Sequence, residues 1–170
     1  VDFSAEMERT LQVLDYAILV ISGADGVQGH VQTLWKLLKR YEIPVFLFVN
    51  KMDQDGTDKE KLLAELEKRL DEKCIDFSEE QDKDVFIESL AMCDEAMLEK
   101  YLEGEAISEN EIQSAIEKRH IFPCYFGSAL KMQGVEEFLN DFEKFTLAKT
   151  YPNVFGAKVY KISRDKQGTR

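Results

Sequence analysis

Apolar residues in the first half of the chain form two different patterns: unbroken runs and a helical repeat. Two runs of five, at residues 17–21 and 45–49, are apolar at every position. Such unbroken runs are typical of strands that are buried on both faces of a parallel sheet. Residues 4–14, 31–38 and 62–70 instead repeat with the period of one helical face. The pattern predicts buried parallel strands that alternate with helices.

The second half of the chain keeps the helical period and adds one further strand. Three short helices are predicted, at residues 85–93, 95–102 and 108–120. Residues 121–126 predict a third strand, which we expect near a sheet edge or beginning after Pro123, because proline has no N–H to donate. Apolar residues at 135–145 repeat on one helical face and predict a last helix. This order predicts an α/β fold, with a parallel sheet flanked by helices.

Charge separates one segment from the rest of the chain. The net charge is −11, and residues 74–120 contain 14 Asp and Glu against 4 Lys and Arg, a balance of −10. We expect this acidic segment to be a helical insertion. The sequence contains no basic stripe of the kind that neutralises nucleic-acid phosphates, so this chain is not expected to supply the main attraction to RNA.

Composition narrows the class of protein further. The apolar share of 44% fits an ordinary globular domain, and no apolar run approaches the ~20 residues of a membrane span. The chain has three widely spaced cysteines, Cys74, Cys93 and Cys124. Their odd number and spacing argue against a disulfide framework and against a Cys-x-x-Cys metal site. We therefore expect a cytoplasmic protein that makes no membrane contact.

The two ends of the sequence suggest a piece of a longer protein. The first residues, VDFSAEMERT, carry no initiator Met and no secretory signal. Beyond Pro152 the helical pattern stops, and residues 154–162 alternate in the manner of a new strand. We expect residues 1–150 to form one unit and residues 151–170 to be a linker and the first strand of a following β domain.

Two polar turns directly follow two of the predicted strands. Asn50 to Asp53 come after the run at 45–49, and residues 127–130, Gly-Ser-Ala-Leu, come after the strand at 121–126. Open parallel sheets bind ligands at the carboxyl ends of their strands. The two turns can therefore meet on one ligand.

The chemistry of these turns suits guanine. An ionised carboxylate at Asp53 can accept hydrogen bonds from both N1–H and the exocyclic amine of guanine, whereas adenine offers neither donor there. Lys51 can lay its methylene stem along the base, Asn50 can tie the two turns together, and the Ala129 N–H can meet the purine oxygen. The plainer alternative is a polar strand-to-helix turn with no ligand.

The motifs VNKMDQDG and FPCYFGSAL, with VDFSAEMERTLQVLDYAILVISGADGVQ before them and FGAKVYKI after them, resemble translational GTPases of the elongation factor G type. Within that class the sequence most resembles the ribosomal protection proteins that confer tetracycline resistance. The resemblance implies a partial P-loop GTPase fold that lacks the phosphate-loop strand. It also implies six base-contacting residues, Asn50, Lys51, Asp53, Ser128, Ala129 and Leu130.

The departures from the family pattern limit what this chain is expected to do. None of its nine glycines is followed by Lys, so the phosphate loop that ends Gly-Lys-Ser/Thr is absent, as is the Asp-x-x-Gly-His motif that serves Mg²⁺ and the attacking water. We expect no catalytic residue and no metal ligand in these 170 residues. His30 and His120, the only histidines, are expected to be solvated surface residues.

The resemblance implies a parent protein that binds GTP or GDP with Mg²⁺, hydrolyses GTP and acts on the ribosome. The chain alone is expected to hold no nucleotide firmly, to be inactive and to self-associate through an exposed sheet edge. Two alternatives stay open. The parent is an elongation factor G or a release-factor GTPase, or the chain is an interaction module that keeps the GTPase scaffold and uses its acidic insertion as the binding face.

Overall fold

The computed structural model describes residues 9–78, 82–157, 159 and 162. Four strands form one sheet: β1 (Ala17–Ser22), β2 (Val45–Asn50), β3 (Cys74–Asp76) and β4 (Phe122–Phe126). Six helices have defined bounds: α1 (Gly29–Arg40), α2 (Lys59–Arg69), α3 (Lys83–Ala91), α4 (Glu95–Glu103), α5 (Glu109–Glu117) and α6 (Val135–Phe145). The strand order is β1-β2-β4-β3, and every neighbouring pair is parallel. The predicted α/β class with a parallel sheet is confirmed.

A hydrophobic core lies on each face of the sheet. Side chains of β2 alternate between the two, so Leu47 packs with α1 and α2 on one face and Phe46 packs with α6 and the helices of the acidic segment on the other. All five residues at 45–49 are buried. This two-sided burial is the reason that the strand is apolar without alternation.

The strand that contains Pro123 lies next to an edge strand of the sheet, which agrees with the expected position near an edge, but it begins before the proline and not after it. β4 is flanked by β2 and by β3, a three-residue strand that the apolar pattern does not predict. Pro123 is tolerated because the ladder between β2 and β4 begins one residue later, at Cys124 opposite Leu47. The missing N–H therefore costs no hydrogen bond to β2.

The acidic segment contains the three predicted helices, each begun by a polar cap. Asp82 and Asp94 accept backbone N–H groups at the starts of α3 and α4, and Ser108 forms a capping box with Glu111 at the start of α5. His120 is not simply solvated, because its Nδ1 lies 2.7 Å from Oδ2 of Asp94. This contact joins the last residue of the acidic segment, two positions before β4, to the cap of α4.

The outer edge of β1 is uncovered among the described residues. β1 pairs with β2 alone, and Ile18 and Val20 are 44% and 58% exposed. These two side chains lie on the sheet face that α6 covers farther along, beside Phe46 and Phe48 in register. The apolar surface that α6 covers on β2 therefore continues onto β1, where it is exposed.

The predicted elements at the two ends fall mostly outside the described residues. Of the helix expected at 4–14, residues 9–11 are helical and the earlier ones are not described. Residues 151–157 form no regular element, and most of residues 158–170, where a new strand is predicted, are not described. No helix in the described part of the chain is long and apolar enough to cross a membrane.

Candidate functional site

The two polar turns meet at the carboxyl end of the sheet because β2 and β4 are neighbours. Oδ1 of Asn50 accepts the N–H of Lys51 at 2.8 Å and the N–H of Ala129 at 2.9 Å. The backbones are also joined, since the N–H of Met52 donates to the carbonyl of Gly127 at 3.0 Å. One side chain and one backbone bond thus fix the two turns relative to each other.

The first turn is bent sharply at Lys51, which has a φ of 66°. A left-handed backbone is uncommon for a residue with a side chain, and it persists where the surroundings hold it. Here Asn50 accepts the Lys51 N–H and so supports the bend. The bend leaves Lys51 exposed at the rim of the site.

The second turn closes tightly behind Gly127. A Cβ at this position would lie 2.2 Å from the carbonyl oxygen of Gln133, so only glycine fits. Ser128 and Gln133 exchange two backbone hydrogen bonds of 3.0 Å each. The closed turn presents Leu130 to solvent with 90% of its side chain exposed.

Asp53 is the acidic centre of the site. Its carboxyl is 17% exposed, and the Lys131 ammonium lies 3.4 Å from Oδ2. A hydrogen bond from the Ser128 side chain, helped by Lys131, lowers the pKa of Asp53 from its ordinary value. An aspartate carboxyl is ionised at neutral pH, so it acts as an acceptor only, and these contacts favour the ionised form further.

Ser128 and Ala129 contribute in ways that the sequence alone does not indicate. Ser128 is 1% exposed, so its side chain orients Asp53 from behind. The Ala129 N–H, which we expected to meet a purine oxygen, donates to Asn50 in this structure. Lys131 is a site residue that the sequence analysis missed, and its position three residues after Ser128 in a short turn is the signal that could have found it.

A hollow of about 300 Å³ lies beside the first turn, between the ends of β1 and β2. Its lining includes Ser22, Asp25, His30, Asn50 and Lys51. The hydroxyl of Ser22 is buried there without a hydrogen-bond partner in the described structure. Buried hydroxyl groups are nearly always paired, so the Ser22 hydroxyl is an exception beside this hollow.

The described residues contain no cluster of metal-binding side chains. No set of three or more His, Cys, Asp or Glu side chains in residues 9–78 and 82–157 is arranged to hold an ion. The site as described is thus a pair of turns with one ionised carboxylate, an exposed ammonium and an exposed leucine.

Comparison with known proteins assigns the chain to a family. Residues 1–147 match the Elongation factor Tu GTP binding domain. The chain therefore belongs to this family of GTP-binding domains, and the resemblance to translational GTPases is confirmed.

The chain is also similar to two individual proteins. It is 34% identical over 161 residues to the tetracycline resistance protein TetP of Clostridium perfringens, which covers 82% of this chain and 25% of TetP. A crystal structure of a Thermus thermophilus protein superposes on 84% of this chain with a TM-score of 0.69 and 22% identity. At that identity the superposition shows a shared fold. The chain spans about a quarter of the length of each relative, 25% and 28%.

Proposed function

We propose that this chain supplies guanine recognition to a translation-factor GTPase. The observation that supports the proposal is the tie through Asn50, which fixes both turns around the ionised carboxylate of Asp53. The six residues of the proposed base site are Asn50, Lys51, Asp53, Ser128, Ala129 and Leu130.

The donor and acceptor set of the site fits guanine. Asp53 has two oxygens for N1–H and the exocyclic amine of the base, and Ser128 and Lys131 lower its pKa and so favour the acceptor form. The exposed aliphatic chains of Lys51 and Leu130 can cover the two flat faces of the purine. An adenine in the same position would leave the carboxylate unpaired, which polar sites reject strongly.

The residues fit the base better than they fit the phosphates and Mg²⁺. No Gly-Lys-Ser/Thr sequence occurs in the 170 residues. Phosphate and Mg²⁺ contacts supply most of the charge stabilisation in GTPases. We therefore propose that this chain alone binds GTP or GDP weakly and hydrolyses neither. The complete protein would bind GTP and GDP with Mg²⁺ and hydrolyse GTP.

A titration with fluorescent GDP and Mg²⁺ tests this proposal directly. The expected affinity is far weaker than micromolar, with no phosphate release in a malachite-green assay. Asp53→Asn is the specificity test, because an amide N–H would pair with the C2 oxygen of xanthine and no longer with the guanine amine. Competition by GDP should fall and competition by XDP should rise. Sub-micromolar GDP binding, turnover, or an unchanged base preference in Asp53→Asn would refute the proposal.

For the whole protein we propose a cytoplasmic GTPase that acts on the ribosome and protects it against tetracycline. The likeness to TetP supports this choice. An elongation factor G or a release factor is the nearer alternative. Expression of the full-length gene in a tetracycline-sensitive strain separates them, because only a protection protein raises the inhibitory concentration of the drug.

We also propose a division near residue 150. The family match ends at residue 147, and residues 151–157 have no regular structure. Residues 151–170 would then be a linker and the start of a β domain. Limited proteolysis of the full-length protein should cut first in this segment. If residues 146–157 resist the protease as well as β2 does, the proposed division is wrong.

The uncovered edge of β1 supports self-association of this chain on its own. Ile18 and Val20 are exposed beside an open row of backbone groups, which is the arrangement that pairs with another strand. Light scattering should show dimers that dissociate in the variant Val20→Lys. A monomer at all concentrations would exclude this mode of association.

A further inference from the structure

Lys131 connects the second turn to Asp53 from the solvent side. Its ammonium lies 3.4 Å from Oδ2 of the carboxyl, and the Ser128 side chain makes a further hydrogen bond to the same carboxyl. The two groups differ in burial, since Ser128 is 1% exposed and the Lys131 side chain is 55% exposed. Two residues of one turn thus hold the carboxylate, one from the interior and one from the surface.

The backbone of Lys131 is itself anchored in the second turn. Its N–H donates to the carbonyl of Ser128 at 3.2 Å and lies 3.4 Å from the Ser128 hydroxyl oxygen. Ser128 in turn exchanges two backbone hydrogen bonds with Gln133. The ammonium therefore extends from a fixed backbone, and its contact with Asp53 has only one side chain to order.

The length of the ionic contact leaves room for a bound base. A charge-assisted N–H···O bond is typically about 2.7–2.9 Å long, so an ammonium at 3.4 Å attracts Oδ2 without forming a full hydrogen bond. A carboxylate offers about four lone-pair positions on its two oxygens. Ser128 and the backbone N–H of Asp53 use two of them. Two donors of a base can therefore be accepted while Lys131 stays in place.

We propose that Lys131 is a positioning residue for guanine recognition, an inference that rests on the base site proposed above. Its ammonium holds the Asp53 carboxylate in the orientation that presents both oxygens to the base. A side chain that is oriented before its ligand arrives loses less conformational entropy on binding. The effect is largest for guanine, which needs both oxygens, and smaller for hypoxanthine, which has N1–H and no exocyclic amine.

Titration of the ¹⁵N-labelled 170-residue chain with GMP and IMP tests the proposal. The two nucleotides carry the same phosphate, so the ratio of their dissociation constants reports the exocyclic amine alone. In Lys131→Met the apolar stem is kept and the cation is lost, so GMP should bind about threefold more weakly, as expected for the loss of an exposed ion pair. IMP should lose less, so the preference for GMP over IMP should fall. Lys131→Arg, which keeps a cation, should retain it.

Lys149→Met is the matched control. Lys149 is 50% exposed and pairs with Asp15 at 2.6 Å, so this variant makes the same charge change and breaks an ion pair of similar exposure before β1, at the opposite end of the sheet. Both affinities should equal those of the unmodified chain. The carboxyl ¹³C resonance of Asp53 gives a second readout that needs no nucleotide. The pKa of Asp53 should rise in Lys131→Met, because a neighbouring cation is removed, and should not change in Lys149→Met.

Failure of this proposal is distinguishable from failure of the base site itself. Equal binding of GMP and AMP by the unmodified chain would refute both. A preference for GMP over AMP, with an unchanged ratio of GMP to IMP affinity or an unchanged pKa of Asp53 in Lys131→Met, would overturn only the role of Lys131. Tighter GMP binding in that variant would also overturn it, because the ammonium would then be a competitor that the base has to displace from Asp53.

Discussion

Removal of the Asn50 side chain tests how the two turns are held together. In Asn50→Ala the N–H groups of Lys51 and Ala129 lose their shared acceptor, which they approach at 2.8 and 2.9 Å. Both groups lie near solvent, so water replaces part of each bond, and a net loss of about 1 kcal/mol per bond gives about 2 kcal/mol in total. The left-handed backbone of Lys51 also loses its support.

Urea unfolding followed by circular dichroism measures this loss. The free energy of unfolding should fall by about 2 kcal/mol with an unchanged dependence on urea, because the surface exposed on unfolding is the same. Asn140→Ala is the control, since this residue is exposed on α6 and helix propensity alone should raise stability by about 0.5 kcal/mol. A loss below about 0.5 kcal/mol in Asn50→Ala would show that the backbone bonds alone hold the turns.

Three further changes have calculable outcomes. Gly127→Ala should destabilise by about 2 kcal/mol or more in the same urea assay, whereas Gly29→Ala, whose Cβ meets nothing within 4 Å, should be neutral or stabilising. Lys59→Ala removes the cation from the buried carboxyl of Asp76, which keeps two hydrogen bonds from Ser78, and should cost about 2 kcal/mol, with part of the loss recovered on adding Asp76→Asn. The pKa of Glu111 is lowered from 4.5 to about 2, first by Lys100, so its stabilising effect is complete above pH 4.5 and is lost as the pH falls toward 2. Thermal unfolding across that range should show a smaller acid loss in Glu111→Gln, and an identical loss would refute the assignment.

The sequence was a sound guide wherever a structural cause is local. Runs of apolar residues without alternation located β1 and β2 to within one residue, because a strand covered on both faces has no polar side. The helices of the acidic segment were also located, since Asp82, Asp94 and Ser108 cap them from the adjoining residue. The polar turn that begins at Asn50 was evident because it directly follows such a strand.

The sequence failed where the cause is a contact between distant residues. β3 has three residues, which is too short to show a period, and it is a strand only because β4 lies beside it. The start of β4 before Pro123 was also missed, because Phe122 and Pro123 pair with β3 while the register with β2 begins after the proline. Both errors concern pairing with β3, which local pattern does not specify.

The same distinction applies to the candidate site. The sequence by itself determined which residue types stand at the ends of the strands, and hence that a base with two adjacent donors suits the carboxylate of Asp53. The sequence also predicted that Asn50 can tie the two turns together. Only the tertiary structure decided that it does so by accepting the Ala129 N–H, 79 positions away, and that Ser128 and Lys131 contact Asp53 and lower its pKa. Those contacts depend on β2 and β4 being neighbours in the sheet, and adjacency of strands is fixed by the packing of the whole domain.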